Sequence, residues 1–255
     1  MTSSLPHADA FGLPRAPLVA VAHGSRDPRS AATIAALLDV LRAAEPGLDV
    51  RTAFLDLSAP RLPDVLSTLA GEGHREAVIV PLLLGSAFHA RVDLPALVAE
   101  AHARFPRLTI SVSDVLGPDE RLSSVALRRL TEAGVRLDDP SLGIVLAGAG
   151  SSHAPANAAV ADVAASWARR FPVAGVRAAF ASTADPDVPA AVASLRAAGA
   201  RRIAVASWFL APGRLPDRAA ALAGNAVVAD PMGAAPELAS LIVDRYLATA
   251  AVAAA

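Results

Sequence analysis

Short apolar runs alternate along the chain with longer segments in which apolar residues recur at helical spacing. The first run, Leu18 to Ala22, combines β-branched and small residues and predicts a strand buried on both faces. The next segment predicts a helix. Ser25 or Asp27 stands where a cap is needed, Pro28 suits a first turn, and Ile34, Leu37, Leu38 and Leu41 fall at i, i+3, i+4 and i+7. The unit then recurs as a strand from Val50 to Leu55 and a helix with Leu62, Val65, Leu66 and Leu69. A strand from Ala77 to Leu83 and a helix with Leu94, Leu97, Val98 and Ala101 follow. A fourth pair runs from Leu108 to Val112 and from Asp119 to Ala133, with Pro118 ahead of the helix and Gly134 behind it. Strict strand–helix alternation implies parallel strands joined by crossover helices that cover both sheet faces.

From Gly143 the pattern starts again. LVAVAHGSRDP resembles IVLAGAGSSHAP, and AFLDLSAPRLPDVLSTLAGEGHREAVIVPLLL resembles AFASTADPDVPAAVASLRAAGARRIAVASWFL. The predicted architecture is therefore α/β, a duplication of two similar halves. Each half is a parallel four-stranded sheet flanked by helices, with an active cleft between them. Residues 1–16 read as a disordered leader, 17–136 as the N-terminal half carrying the site, and 141–250 as a C-terminal half with a degenerate site. Asp138, Asp139 and Pro140 supply the linker chemistry.

Composition narrows the chemistry. Of 255 residues, 54% are hydrophobic, so the chain has material for a large core. Lys plus Arg number 23 against 24 Asp plus Glu, which argues against a surface built to grip nucleic acid or an anionic membrane. The absence of cysteine excludes disulfides, thiolate metal sites and cysteine nucleophiles, so a metal must use His, Asp or Glu. No run approaches the roughly 20 apolar residues that span a bilayer, and the start of the chain lacks the pattern of an export signal, so a cytoplasmic protein is expected.

In open parallel sheets ligands bind beyond the carboxyl ends of the strands. His23 follows the first strand, Asp56 the second, and His89 lies beyond the third, with Arg26 and Arg91 near the histidines. Two imidazoles and a carboxylate from three strand ends of one sheet form a ligand set for a divalent transition metal, incomplete as a reactive site requires. In the second half Ala149 is read as matching His23, and Thr183 or Ala184 as matching Asp56, so the polar trio belongs to the first half alone. His153, at a helix start, is read as a cap, a cleft-lining residue or an anion contact. His7, His74 and His102 read as solvated, and Trp167, Trp208 and Phe209 as core or cleft wall.

At VAHGSRDPRS, FLDLSAPRLPDVL and VPLLLGSAFHARVDLP the sequence resembles the class II tetrapyrrole chelatases, specifically the sirohydrochlorin ferrochelatase and cobaltochelatase family. The resemblance covers about residues 17 to 250. It implies a cytoplasmic lyase that inserts a divalent metal, Fe(II) first and Co(II) as the alternative, into sirohydrochlorin with release of two protons. The metal is then a substrate, and no permanent cofactor is implied. His23 and His89 match the histidines that bind the metal and assist proton removal, and Asp56 stands at a position that is often Glu. Ser25, Arg26, Ser86 and Arg91 are the candidate contacts for the substrate's carboxylates, with Arg214 a weaker one. Ala149 and His153 occupy places where the family often has Arg and Asp. The expected partners are sirohydrochlorin and the metal ion, on a monomer or homodimer without nucleic acid or membrane. The non-enzymatic alternative is a metal or tetrapyrrole carrier.

Overall fold

The computed structural model describes residues 16–85 and 93–253. The first half contains β1 (Leu18–Ala22), α1 (Pro28–Ala44), β2 (Val50–Phe54), α2 (Leu62–Gly71), β3 (Glu76–Pro81), α3 (Leu94–Arg104), β4 (Thr109–Val112) and α4 (Glu120–Glu132). The second contains β5 (Leu142–Gly148), α5 (Ala154–Arg170), β6 (Gly175–Phe180), α6 (Val188–Ala197), β7 (Arg202–Ser207), α7 (Arg214–Leu222), β8 (Val227–Val228) and α8 (Pro236–Ala253). The strands form two four-stranded sheets, ordered β2-β1-β3-β4 and β6-β5-β7-β8, with every pairing parallel. This is the predicted architecture. Residues 1–15 of the expected leader lie outside the described residues.

Strand alternation explains why β1 and β5 read as unbroken apolar runs. Leu18, Ala20 and Ala22 enter one core cluster, while Val19 and Val21 enter another on the opposite face. Ile144 and Leu146 join the first cluster, and Val145 and Ala147 belong to a third beneath α6 and α7. The first cluster thus runs through both halves, joining the inner faces of the two sheets through α1, α4, α5 and α8. Asp27 caps α1 by accepting the Arg29 N–H at 3.0 Å, and Ile34, Leu37, Leu38 and Leu41 are its buried stripe, as the spacing predicts.

The halves exchange their last helices. α4, from the first half, packs on β7, whereas α8, from the second, packs on β3, β4 and α1. Trp167 in α5 donates its indole N–H to Ser123 Oγ in α4 at 2.6 Å, and Tyr246 in α8 donates to the Ala16 carbonyl at 2.8 Å. Both rings are buried core, with their polar atoms satisfied across the exchange. Arg121 pairs with Asp244 and Arg128 with Glu237, so α4 and α8 are also tied by charge.

The Arg121 side chain, helped by its own backbone N–H and by Arg245, holds the Asp119 carboxyl below the usual carboxylate range; Arg128 does the same to Glu237. A depressed folded-state pKa contributes stability that is full above the unfolded value, about 4, and is lost as pH falls through the folded value. The thermal midpoint is therefore expected to hold above about pH 5 and fall below about pH 4. Glu237→Gln should flatten part of that fall in a series of melts. An identical acid limb in the variant would remove Glu237 from the account.

Candidate functional site

Both sheets reverse their strand order beside the central strand, β1 or β5, and the crevice at the carboxyl ends of such strands is where ligands enter this architecture. The first-half crevice is floored by backbone. The β1–β2 ladder continues past the strands, Leu55 N–H to the Ala22 carbonyl and Asp56 N–H to the His23 carbonyl, each at 2.9 Å. His23 and Asp56 are thereby neighbours. Gly24 makes this approach possible: its φ is +95°, and a Cβ on it would lie 1.7 Å from the Asp56 carbonyl oxygen.

His23 is half-buried, with Nδ1 3.0 Å from the Gly24 carbonyl oxygen. A carbonyl only accepts, so this contact places the proton on Nδ1 and the lone pair on Nε2, the nitrogen suited to take a metal or a proton. Asp56 is 60% exposed, and its carboxylate lies 3.5 Å from the Arg61 guanidinium, an exposed pair of small energetic worth. Ser25 is half-buried; its Oγ accepts the Asp27 N–H at 3.0 Å, which keeps the hydroxyl proton for another acceptor. Arg26 is exposed and forms no ion pair with a described residue.

The segment after β3 is held from below. Leu82 N–H donates to the Val21 carbonyl and Leu116 N–H to the Leu83 carbonyl. Gly117 lies so close that a Cβ there would sit 2.3 Å from the Leu84 carbonyl oxygen. Arg245 of the exchanged helix α8 reaches in turn to the carbonyls of Val115 and Leu116, at 3.0 and 3.1 Å. Ser86, His89 and Arg91 lie outside the described residues. Among the described residues no three of His, Asp and Glu converge as a metal cluster.

The opposite wall comes from the second half. A Cβ on Gly213 would come 3.8 Å from Ser25 Oγ, and Arg29 pairs with Asp217 at 2.5 Å. Arg214, the first residue of α7, is exposed on this side. His153 is the N-cap residue of α5 without a side-chain cap bond, and its backbone N–H donates to Ser151 Oγ at 3.0 Å. Trp208 is core and Phe209 packs on the outer cluster. His74 faces Glu72 and Asp49 at 3.5 and 3.9 Å, and His102 is exposed.

One sequence correspondence is corrected. Ser182 N–H donates to the Ala149 carbonyl, as Asp56 N–H does to that of His23, and Gly150 would strike the Ser182 oxygen as Gly24 would that of Asp56. Asp56 therefore matches Ser182, one residue before Thr183. Thr183, at φ +66°, matches Leu57, at φ +61°, and both halves build the same strained turn. Sequence reading passed over three residues of this turn: exposed Leu57, the hydroxyl of Ser58, and Arg61. The string LDLSAPR carries no sign of them, because Leu57 is marked by its positive φ, Ser58 by its bonds to another loop and Arg61 by its place beside Asp56, none of which shows in residue order.

Fold and site together define a duplicated α/β protein of the two-half chelatase architecture, with a His–Gly–Ser loop at the switch point of its first sheet. The CbiX family model matches residues 17–133 and 143–249, and the chain belongs to that family. A sirohydrochlorin ferrochelatase of Priestia megaterium is 30% identical over 135 residues, 52% of this chain and 49% of the relative. A sirohydrochlorin cobaltochelatase of the same organism is 26% identical over 140 residues, 54% of this chain and 45% of the relative. The chain spans about half the length of these curated relatives. The structure of SirB from Bacillus subtilis with Fe3+ superimposes with a TM-score of 0.77 over 93% of this chain and 96% of that one; at 23% identity the likeness is one of fold. No described helix is long and apolar enough to cross a membrane.

Proposed function

We propose that this protein is a sirohydrochlorin chelatase whose first half carries the site, inserting a divalent ion, Fe(II) in the first place, and releasing two ring protons. The observation that carries the reading is His23: the Gly24 carbonyl orients its ring so that the Nε2 lone pair is the reactive one, at the switch point of the sheet. A hydrated ion must lose waters while four ring nitrogens replace them, and two N–H protons must leave. Neutral imidazoles suit both tasks, one lone pair serving one task at a time. His23 and His89 are assigned to metal delivery and proton abstraction, and Asp56 to orienting an imidazole or receiving a proton. Its weak pair with Arg61 does not lock the carboxylate away from that role.

Sirohydrochlorin is a polycarboxylate, and exposed Arg26 with Ser25, together with Ser86 and Arg91 and with Arg214 opposite, form the set assigned to its carboxylates. The second half is the cleft wall, and a cytoplasmic setting fits the reaction. The names of the relatives support this substrate. They also favour a second reading, insertion of Co(II) into the same macrocycle for cobalamin synthesis, because a cobaltochelatase stands beside the ferrochelatase. First-row ions share these ligand types, so the metal used follows availability as well as affinity.

Anaerobic spectrophotometry of the purified chain with sirohydrochlorin and Fe(II) or Co(II) tests the proposal. Insertion should outrun the protein-free rate with at least one metal, and the ratio of the two rates decides between the readings in vitro. Stoichiometric binding of metal or macrocycle without turnover would replace the enzyme with a carrier.

A further inference from the structure

The loop after the central strand is clamped in both halves, by different residues. In the first half the Ser25 N–H donates to Ser58 Oγ at 3.0 Å, and the Ser58 hydroxyl donates to the Ser25 carbonyl at 2.9 Å. In the second half the same two backbone groups, now on Ser151, are held by Asn157: N–H to Oδ1 at 2.9 Å, and Nδ2 to the carbonyl at 2.7 Å. The residues trade places between the copies. Ala184 stands where the first half has Ser58, and Ala31 where the second has Asn157.

Each half therefore keeps a two-bond clamp on the residue after its glycine. The second half takes the clamp from its own helix α5, so the bonds stay within one loop–helix unit. The first half takes it from the turn after β2, where the Ser58 N–H also donates to the Asp56 carbonyl at 2.7 Å. Holding residue 25 could be done locally, as Asn157 shows. What the first-half arrangement adds, beyond the ladder bond from the Asp56 N–H to the His23 carbonyl that both halves share in kind, is a side-chain tie between the loop that carries His23 and the turn that carries Asp56.

We propose that Ser58 is a positioning residue for metal insertion, fixing the His23 loop and the Asp56 turn as one unit; the proposal rests on the chelatase reading above. Ser58 acts through Ser25 and the Asp56 backbone. Side chains that share a reaction must be held to within a fraction of an ångström, and the exposed Arg61 pair is too weak to do this for Asp56.

The test uses the full chain as wild type, Ser58→Ala and Ser58→Ala with Ala31→Asn. Ala184 occupies the same turn, so Ser58→Ala is expected to fold. Amide hydrogen exchange should quicken in both residues 24–27 and 56–58 of Ser58→Ala, and the kcat of metal insertion should drop by about tenfold or more, with the macrocycle KM little changed. Adding Ala31→Asn should restore protection to 24–27 alone and leave kcat low. Restoration of kcat by Ala31→Asn would make the clamp a local support and overturn the proposal, as would wild-type turnover in Ser58→Ala or unchanged exchange at 56–58. If the wild-type chain inserts no metal, the chelatase reading fails, while the exchange data still decide whether Ser58 couples the two loops.

Discussion

His23→Ala is expected to lose metal insertion by about 10²-fold or more, the range a positioned proton acceptor contributes. The ring is half-buried, and Nδ1 lies 3.0 Å from the Gly24 carbonyl oxygen, a contact that orients the imidazole. The fall should appear in kcat and exceed whatever a shift of the thermal midpoint accounts for. Steady-state kinetics with sirohydrochlorin and Co(II), read beside a melting curve, separates the cases. Wild-type turnover in the variant would remove the first-half loop from the chemistry and with it the assigned site.

Gly24→Ala carries the largest expected cost to structure. The added Cβ would lie 1.7 Å from the Asp56 carbonyl oxygen and 2.9 Å from its carbon, so it meets backbone that no rotamer change can move. The positive φ adds its own penalty, and about 3 kcal/mol in all is expected. Gly134→Ala is the control, because Gly134 also has positive φ, at +81°, but faces open space; it should cost about 1 kcal/mol.

Gly150→Ala is the informative partner. Its Cβ would lie 1.8 Å from the Ser182 carbonyl oxygen, so it should destabilise as Gly24→Ala does. It disturbs the loop of Ala149 instead of the loop of His23. Among folded molecules, Gly150→Ala should thus keep most of its insertion rate while Gly24→Ala loses it. Equal losses in both variants, after correction for the folded fraction by denaturant titration, would mean that the site is not confined to the first half.

Much of this fold is legible in residue order. Leu18 to Ala22 announced a strand covered on both sides, and Ile34, Leu37, Leu38 and Leu41 announced one buried helix face, because burial on a fixed period is written directly into residue order. The candidate site was legible in part for a similar reason: strand ends can be read from the runs, and in a parallel sheet the residues just beyond them line the crevice. The repeat itself is legible too, but its register at Asp56 is not: residue order points to Thr183 or Ala184, and the backbone bonds give Ser182.

Residue order alone carries the eight strand–helix units, their duplication, and the placement of His23 and Asp56 just beyond the ends of two strands. Which sheet each terminal helix covers is settled by packing in three dimensions. The apolar faces of α4 and α8 specify that something must bury Leu130 or Ile242, and two similar sheets offer equivalent inner faces; chain geometry sends each helix to the other half. Packing also makes Ser58 the clamp of one copy of the loop and Asn157 that of the other, and brings Arg245 of α8 to the carbonyls of Val115 and Leu116. Periodicity reports that a face is buried but not its partner, and a hydrogen bond across two loops depends on distances of about 3 Å that no one-dimensional pattern encodes.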